Sequence, residues 1–550
     1  MIKAIALERM TRVVMAVVLI FFAIVSRSEA ASPPQITGNG ILNAASDAFP
    51  GSPNSSIAQG SIFSIYGSNL GPSSSPAVAY PLQSALGGVS VAVTSYTGSS
   101  VNALPIFVAP GLVNAILPGT ATVGVASLTV TYNGKTSQPA SLTVVANSFG
   151  IFSVGSNGTG VGVITDTSYQ LYSLNFAAGP GSTAVLWGTG LGASPGDNGA
   201  GPPPQINMPS LPLSVYVGTQ TATVSYQGRA AFTGEDQINF VIPAGVTGCY
   251  VPVTVQVGII VSNFVTMPIA PAGQSCPDPT PPVPPFGLGP PGTPPFTGEV
   301  LLERATKIVA TDMGTTSVTT DYGLAFFGTP QADAFPYLPP LYGNPYSLPV
   351  GTCTGGAAYP NSIDYLVQEL PAGTITVSGP NGNQELPPAN GVESGFYSTQ
   401  IGGGSGATAE PLFLDAGVYT VTAPGGSFGP PTSSPGVGPF SQTITLPPPL
   451  IWGNAAAINT IDRSAPLEVT WTGGDPDGTV QITGFVGFIC NARASDQHFT
   501  IPPFILMSGA AAGQGYLTVG AATTSPFTAT GISTGTINSA VFTIRTVTYQ

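Results

Sequence analysis

His498 is the only histidine among 550 residues. A Ser-His-Asp relay would have to pass through it. Asp496 lies two positions away, a spacing that puts both side chains on one face of a strand. No G-x-S-x-G elbow accompanies the pair, and no serine stands out from the many present. His498 therefore reads as a loop residue ahead of a strand at 499–501. Zinc chemistry is equally poorly served. Cys249, Cys276, Cys353 and Cys490 are dispersed, with no C-x-x-C or H-x-x-H spacing. Asp475-Pro476-Asp477-Gly478 and Glu235-Asp236 each offer two carboxylates. Calcium takes about six to eight oxygens, and neither stretch carries the ligands that would follow. The first reads as a hairpin turn, the second as a solvated turn. Glycoside hydrolysis needs two facing carboxylates, and nothing in the sequence singles out a pair. No catalytic, cofactor-binding or metal-ligating residue is assigned. The remaining candidates are Tyr337, Tyr342, Tyr346 and Tyr359, in a Pro/Gly-rich stretch at 336–360. Their rings would either stack on sugars as a ligand platform or cap their own domain's core.

The elements around these residues are short strands. Hydrophobic residues make up 43% of the chain and charged residues 6%, with 71 Gly and 57 Pro. The apolar residues come in alternating runs between turn residues, which is how all-β domains read. GSIFSIYGSNLG (60–71) returns as GSTAVLWGTGLG (181–192). LVNAILP (112–118) returns as QINFVIP (237–243), aligning Asn114 with Asn239. LTVTYNGKTSQPASLTVV (128–145) returns as VTVQVGIIVSNFVTMPIA (253–270), aligning Ser137 with Ser262. Three matched segments in one order at nearly constant offset mark a tandem duplication. Asn133-Gly134 between alternating runs signals a hairpin. About seven strands per hundred residues is the immunoglobulin-like count.

The expected layout is therefore a signal peptide at 1–30, β-sandwiches at 31–146 and 147–276, and a proline-rich linker at 277–296. A β-rich domain at 297–449 and a C-terminal β-sandwich at 450–550 follow. Lys3, Arg9 and Arg12 precede an apolar run at 13–25, and Ser28-Glu29-Ala30 matches a cleavage site. An uncleaved anchor is the other reading. Residues 277–295 hold ten prolines in nineteen, enough to reach roughly 60 Å if extended. LPAGTITVSGPNG (370–382) is echoed by LDAGVYTVTAPGG (414–426), which implies two matching strand-turn units. Pro447-Pro448-Pro449 marks the last boundary. Residues 298–310 fit a helix or an N-terminal strand.

Residues 1–30 carry four basic and two acidic side chains, so a chain cut after Ala30 carries −15. That balance argues against nucleic acid and anionic membrane as partners. After residue 30 no segment reads as a membrane span. An even cysteine count in an exported chain suggests disulfides. Cys249–Cys276 is expected because it would pin the end of the last strand before the linker. Cys353–Cys490 follows by elimination, with two free buried thiols as the alternative.

The motifs ILNAAS (41–46), GSIFSIYGSNLG, LGGVSVAV (86–93), FVAPGLVNAILP (107–118), FGIFSVG (149–155), WGTGLG (187–192), QINFVIPAGV (237–246) and GCYVPVTVQVGIIVSNFVTMPIA (248–270) occur in one order. Together they resemble the Solibacter uncharacterised C-terminal domain of secreted acidobacterial proteins. The opening strand and corner are also similar to IPT/TIG immunoglobulin-like domains. The resemblance covers residues 37–276. It implies tandem immunoglobulin-like sandwiches on an exported protein and supplies no catalytic residues. At 257–260 this chain has VGII where a glycine-rich turn is usual in the family.

The expectation is a secreted or cell-surface, non-catalytic β-sandwich protein with a structural, adhesive or binding role and no cofactor. A polysaccharide or a cell-surface protein is the expected partner. The alternatives are carbohydrate binding by the C-terminal β-module, and a secreted hydrolase.

Overall fold

The computed structural model describes residues 32–48, 50–271, 274–276, 296–311, 314–328, 348–355, 369–389, 394–406, 409–427, 436–484, 487–509 and 512–550. Residues 1–30, expected to be a signal peptide, and nearly all of the proline-rich linker lie outside the described residues. The protein is all-β, built from tandem immunoglobulin-like sandwiches.

The first sandwich follows directly from side-chain alternation. The strand Val89–Ser95 buries Val89, Val91 and Val93 and leaves the residues between them half-exposed. Its neighbours run in the order Gln35–Asn43, Ile62–Ser68, Leu112–Ile116, Ser100–Val108, Val89–Ser95, Gly124–Tyr132, Ala140–Val145. One strand serves both layers. Ser100–Val108 pairs with Val89–Ser95 over Ser100–Ala103 and with Leu112–Ile116 over Leu104–Val108, with a bulge between Pro105 and Phe107. The bulge turns the strand from one sheet into the other.

The second sandwich repeats this arrangement. Its order is Gly150–Ile151, Thr183–Thr189, Asp236–Val241, Gln220–Arg229, Leu213–Val217, Gly248–Val257. Gln220–Arg229 switches sheets at a bulge between Val224 and Tyr226. Even single hydrogen bonds recur. Val130 N donates to Ser137 Oγ at 3.0 Å, and Val255 N to Ser262 Oγ at 2.9 Å. The Asn133-Gly134 turn has φ of 50° and 74°, joining Tyr132 to Lys135. At 257–260 the turn uses a single left-handed residue, Gly258 at φ 60°.

The duplicated corner exists because a carbonyl must pass close to it. A Cβ on Gly67 would overlap the carbonyl oxygen of Gln35, and one on Gly188 would overlap that of Gly150 and the Phe149 ring. Beyond it, Leu70 and Leu191 are fully buried. Leu70 N donates to Pro110 O at 2.9 Å. In the second copy the Asp236 carboxylate replaces that carbonyl and accepts from Leu191 N at 2.7 Å.

The C-terminal half corrects the expected boundary at 447–449. One nine-stranded sheet crosses it. Thr297–Thr311 lies parallel to Thr534–Tyr549 from Thr297↔Thr534 to Ile308↔Arg545. It pairs on its other side with Gly314–Gly328. Residues 298–310 are thus strand, which the Val, Ile and Thr content and two long partners favour over helix. A four-stranded sheet (Gly382–Leu386, Ile375–Gly379, Gly417–Ala423, Phe440–Leu446) packs on one end of this wall. A three-stranded sheet (Leu450–Trp452, Leu467–Gly473, His498–Ile501) and the helix Pro503–Met507 pack on the other. The region is two cores sharing one sheet, not two separable sandwiches. The 370–382 and 414–426 echo has a geometric meaning. Its strands are antiparallel neighbours paired Thr376↔Thr422, Val377↔Val421 and Ser378↔Thr420, so equivalent residues are related by a local twofold at Val377/Val421.

Replacing Gly67 by Ala is expected to destabilise the first sandwich by about 1–3 kcal/mol, because the first strand must move. Gly38→Ala is the control, since a Cβ there meets nothing within 4 Å. The thermal unfolding midpoints of the two variants check this.

Candidate functional site

A buried cluster of charged side chains lies at the joint between the two front sandwiches. Arg229 ends a sheet-switching strand and is wholly buried. Its NH1 meets Asp236 Oδ1 at 2.5 Å, and its Nε lies 3.1 Å from Asp197 Oδ1. Its NH2 donates to Gly192 O at 2.8 Å and to Asp197 Oδ2 at 3.2 Å. Ser194 N donates to the same Asp197 oxygen. Burial pushes Asp236 up to about 6, while Arg229 and the N–H groups of Leu191 and Gly190 pull it down. Burial likewise raises Asp197 against the pull of Arg229. The first sandwich closes over this cluster with Gly60, where any Cβ would strike Asp197 and Arg229.

Further bonds cross the same joint. Asn43 Nδ2 donates to Ser148 O at 3.1 Å, and Ile62 N to Thr189 Oγ1 at 2.8 Å. Leu82 N donates to Gly199 O at 2.7 Å. Thr233 N donates to Tyr80 Oη at 3.0 Å, and the Tyr80 ring meets Phe232 edge-on. A cleft of about 390 Å³ opens beside the joint, lined by Pro118, Gly119, Thr120 and the Ala193–Asn198 loop. Its single ionisable side chain, Asp197, is committed to Arg229. The arrangement holds the two sandwiches together.

The second joint ties the C-terminal module to the second sandwich. Tyr216 stacks on Phe504 with ring centroids 3.8 Å apart and planes 12° apart. Val261 and Phe264 enter the core that contains Cys353, Trp471 and Leu506. Thr219 Oγ1 donates to Gly351 O at 3.3 Å. The units on either side of the proline-rich linker are therefore in contact.

The sequence candidates fall as follows. Cys249–Cys276 forms a disulfide with Cα atoms 5.4 Å apart. Cys353–Cys490 forms the other, between directly paired residues of neighbouring strands. His498 is exposed, and its Nδ1 lies 2.8 Å from the backbone oxygen of Asp496, not from a carboxylate. Residues 494–496 form a 3₁₀ turn, so the two side chains do not share a strand face. Asp475 Oδ1 accepts from Asp477 N at 3.1 Å, closing a turn. Glu235-Asp236 is not a solvated turn. Asp236 is fully buried against Arg229, and burial raises Glu235. Among the described residues no group of three His, Cys, Asp or Glu is placed to hold a metal ion. Among the described residues no helix is long and apolar enough to cross a membrane. Tyr337, Tyr342, Tyr346 and Tyr359 lie outside the described residues.

A group the sequence did not single out is Glu303, on the long sheet. It is 6% exposed, and its Oε2 has no hydrogen-bond partner among the described residues. Burial pushes its carboxyl up to about 7. The signal was available only as an acid in an apolar strand run, VLLERA.

No family model and no curated protein matches the chain. Solved structures do align with it. A tetra-tandem repeat from the extending region of a large adhesion protein is 13% identical, covering 92% of this chain and 98% of that one, with a TM-score of 0.13. The SGBP-B of a Bacteroides ovatus mixed-linkage glucan utilization locus, in complex with a heptasaccharide, is 11% identical over 86% of this chain and 90% of that one, with a TM-score of 0.14. Sidekick-1 immunoglobulin domains 1–4 are 10% identical over 89% and 95%, with a TM-score of 0.12. Scores this low describe no shared arrangement of the whole chain, and the fold stands on the strand pairing above.

Arg229→Met is expected to cost about 3–5 kcal/mol, because it strands two buried carboxylates. Chemical denaturation at neutral pH measures it. Glu303 holds its proton more tightly in the folded chain than at its ordinary value of 4.5. Its contribution is therefore greatest below that value and declines as pH rises through about 7. Glu303→Gln is expected to remove this decline, and unfolding midpoints of both proteins between acid and neutral pH show it.

Proposed function

We propose that the protein is an exported, non-catalytic scaffold that presents a binding surface. The observation that carries this reading is the pair of module joints. Both contain buried side chains, and the ion pair of Arg229 with Asp236, neither of them exposed, is spent on one of them. Ionisable groups used this way position domains and are not poised for proton transfer. His498, exposed and facing a backbone carbonyl, supports the same reading.

Two disulfides suit an oxidising compartment. The basic and apolar start of the sequence supports export. The motif order supports membership of residues 37–276 in the acidobacterial secreted-domain family. Strong acidity favours a neutral or basic partner, either a polysaccharide or a cell-surface protein.

Fractionation of the source organism tests the reading. The protein is expected in the extracellular or cell-surface fraction with its N-terminus at Ala31. Recovery from the cytoplasm with residues 1–30 attached would overturn it.

A further inference from the structure

The outer face of one sheet carries the same strip in both repeats. In the first copy Tyr66 pairs with Leu112, and Asn114 is flanked by Ser64 and Phe107. In the second, Trp187 pairs with Gln237, and Asn239 is flanked by Val185 and Tyr226. Each copy thus sets an asparagine among aromatics: Tyr66 and Phe107 in one, Trp187 and Tyr226 in the other. The core side of these strands is occupied by Phe63, Ile65 and Val113, and by Leu186, Ile238 and Phe240. The aromatics and asparagines of the strips stay partly open, while Ser64, Val185 and Gln237 between them are buried. Phe107 is 40% exposed, and Tyr66, Asn114, Trp187, Asn239 and Tyr226 are half-buried.

The second strip is the more developed. Tyr169, 61% exposed, sets its ring 5.8 Å from that of Trp187. Gln205 Nε2 donates to Gln237 Oε1 at 3.1 Å, and Gln237 Nε2 donates to Asn239 Oδ1 at 2.8 Å. This relay fixes the amides' orientation. Among the described residues it leaves Asn239 Nδ2 without an acceptor. Both strips also border the same joint. The Ile62–Ile116 pair, next to Ser64–Asn114, packs in a cluster with Phe152 and Phe232 of the second sandwich. Phe152 N donates to Trp187 O at 3.0 Å.

We propose that these strips bind a neutral polysaccharide chain. A sugar ring presents a C–H face that packs on an aromatic ring and a rim of hydroxyls that pairs with amides, and the strips offer both. Their side chains carry no formal charge. The acids nearest them are Asp47, whose Oδ1 accepts from Tyr66 Oη at 3.5 Å, Asp166, which closes the Tyr169 turn through Gln170 N, and Asp236, which acts on Tyr226 but is buried and paired with Arg229. With a net charge of −13 for the whole chain, an acidic polymer is repelled and a neutral one is not. The inference rests on the binding role proposed above and names the class of ligand and its place.

Affinity electrophoresis of the full chain through gels containing dextran, galactomannan, hydroxyethyl cellulose or a β-1,3-glucan tests it, with polygalacturonate as the acidic comparison. At least one neutral polymer should retard the protein, and polygalacturonate should not. Trp187→Ala should weaken retardation at least about tenfold. Tyr169→Asn should weaken it less while preserving the fold, because residue 169 has φ 67° and Asn tolerates that region. Equal melting temperatures for this variant and the parent exclude misfolding. If both variants migrate like the parent in a gel that retards it, the strip is not the site, though the binding role stands. If no neutral polymer retards the parent, the polysaccharide assignment is overturned and a protein partner remains.

Discussion

Arg229 is the interaction on which the front half depends. A guanidinium without solvent access is tolerated only where opposite charge and acceptors surround it. Here NH1 and NH2 donate to Asp236, Asp197 and the Gly192 carbonyl, while Nε, 3.1 Å from Asp197 Oδ1, has the ion pair but no hydrogen bond among the described residues. The acceptors come from three places in the second sandwich: its glycine corner, the loop after it and the start of the neighbouring strand Asp236–Val241. Gly60 of the first sandwich forms the lid. The cluster couples the folding of the second repeat to the seating of the first. Loss of the arginine alone would leave two buried carboxylates without their counter-charge, which is why the joint depends on it.

The joint also explains how duplicate domains differ. The same corner position is served by the Pro110 carbonyl in one copy and by the Asp236 carboxylate in the other. The first copy keeps the minimal backbone solution. The second adds a carboxylate, and with it a partner arginine and a contact surface. The two copies share the sandwich, and the second differs at the joint by the set Asp197, Arg229 and Asp236.

Much of the fold was legible because it repeats. Period-two alternation and the recurring glycine corner identify strands, and Asn133-Gly134 identifies its hairpin. The structure adds that Ser137 and Ser262 make equivalent bonds. What misled was the assumption that local punctuation marks domain edges. Pro447-Pro448-Pro449 ends a strand, but it does not stop Thr297–Thr311 from pairing with Thr534–Tyr549 more than two hundred residues away. Residues 298–310 were ambiguous for a related reason: a long strand with acids at Glu299, half-buried, and Glu303, buried, shows little alternation.

By itself the sequence determined the all-β class, the duplication and the scarcity of catalytic side chains, since each is a property of local pattern or composition. Only the tertiary structure decided that Asp236 is buried, that the cysteines pair as they do, that the C-terminal half shares one sheet, and that the strips of Trp187 and Tyr66 face outward. These depend on which distant segments meet. That is set by the total of side-chain contacts across the fold and leaves no local trace in the order of residues.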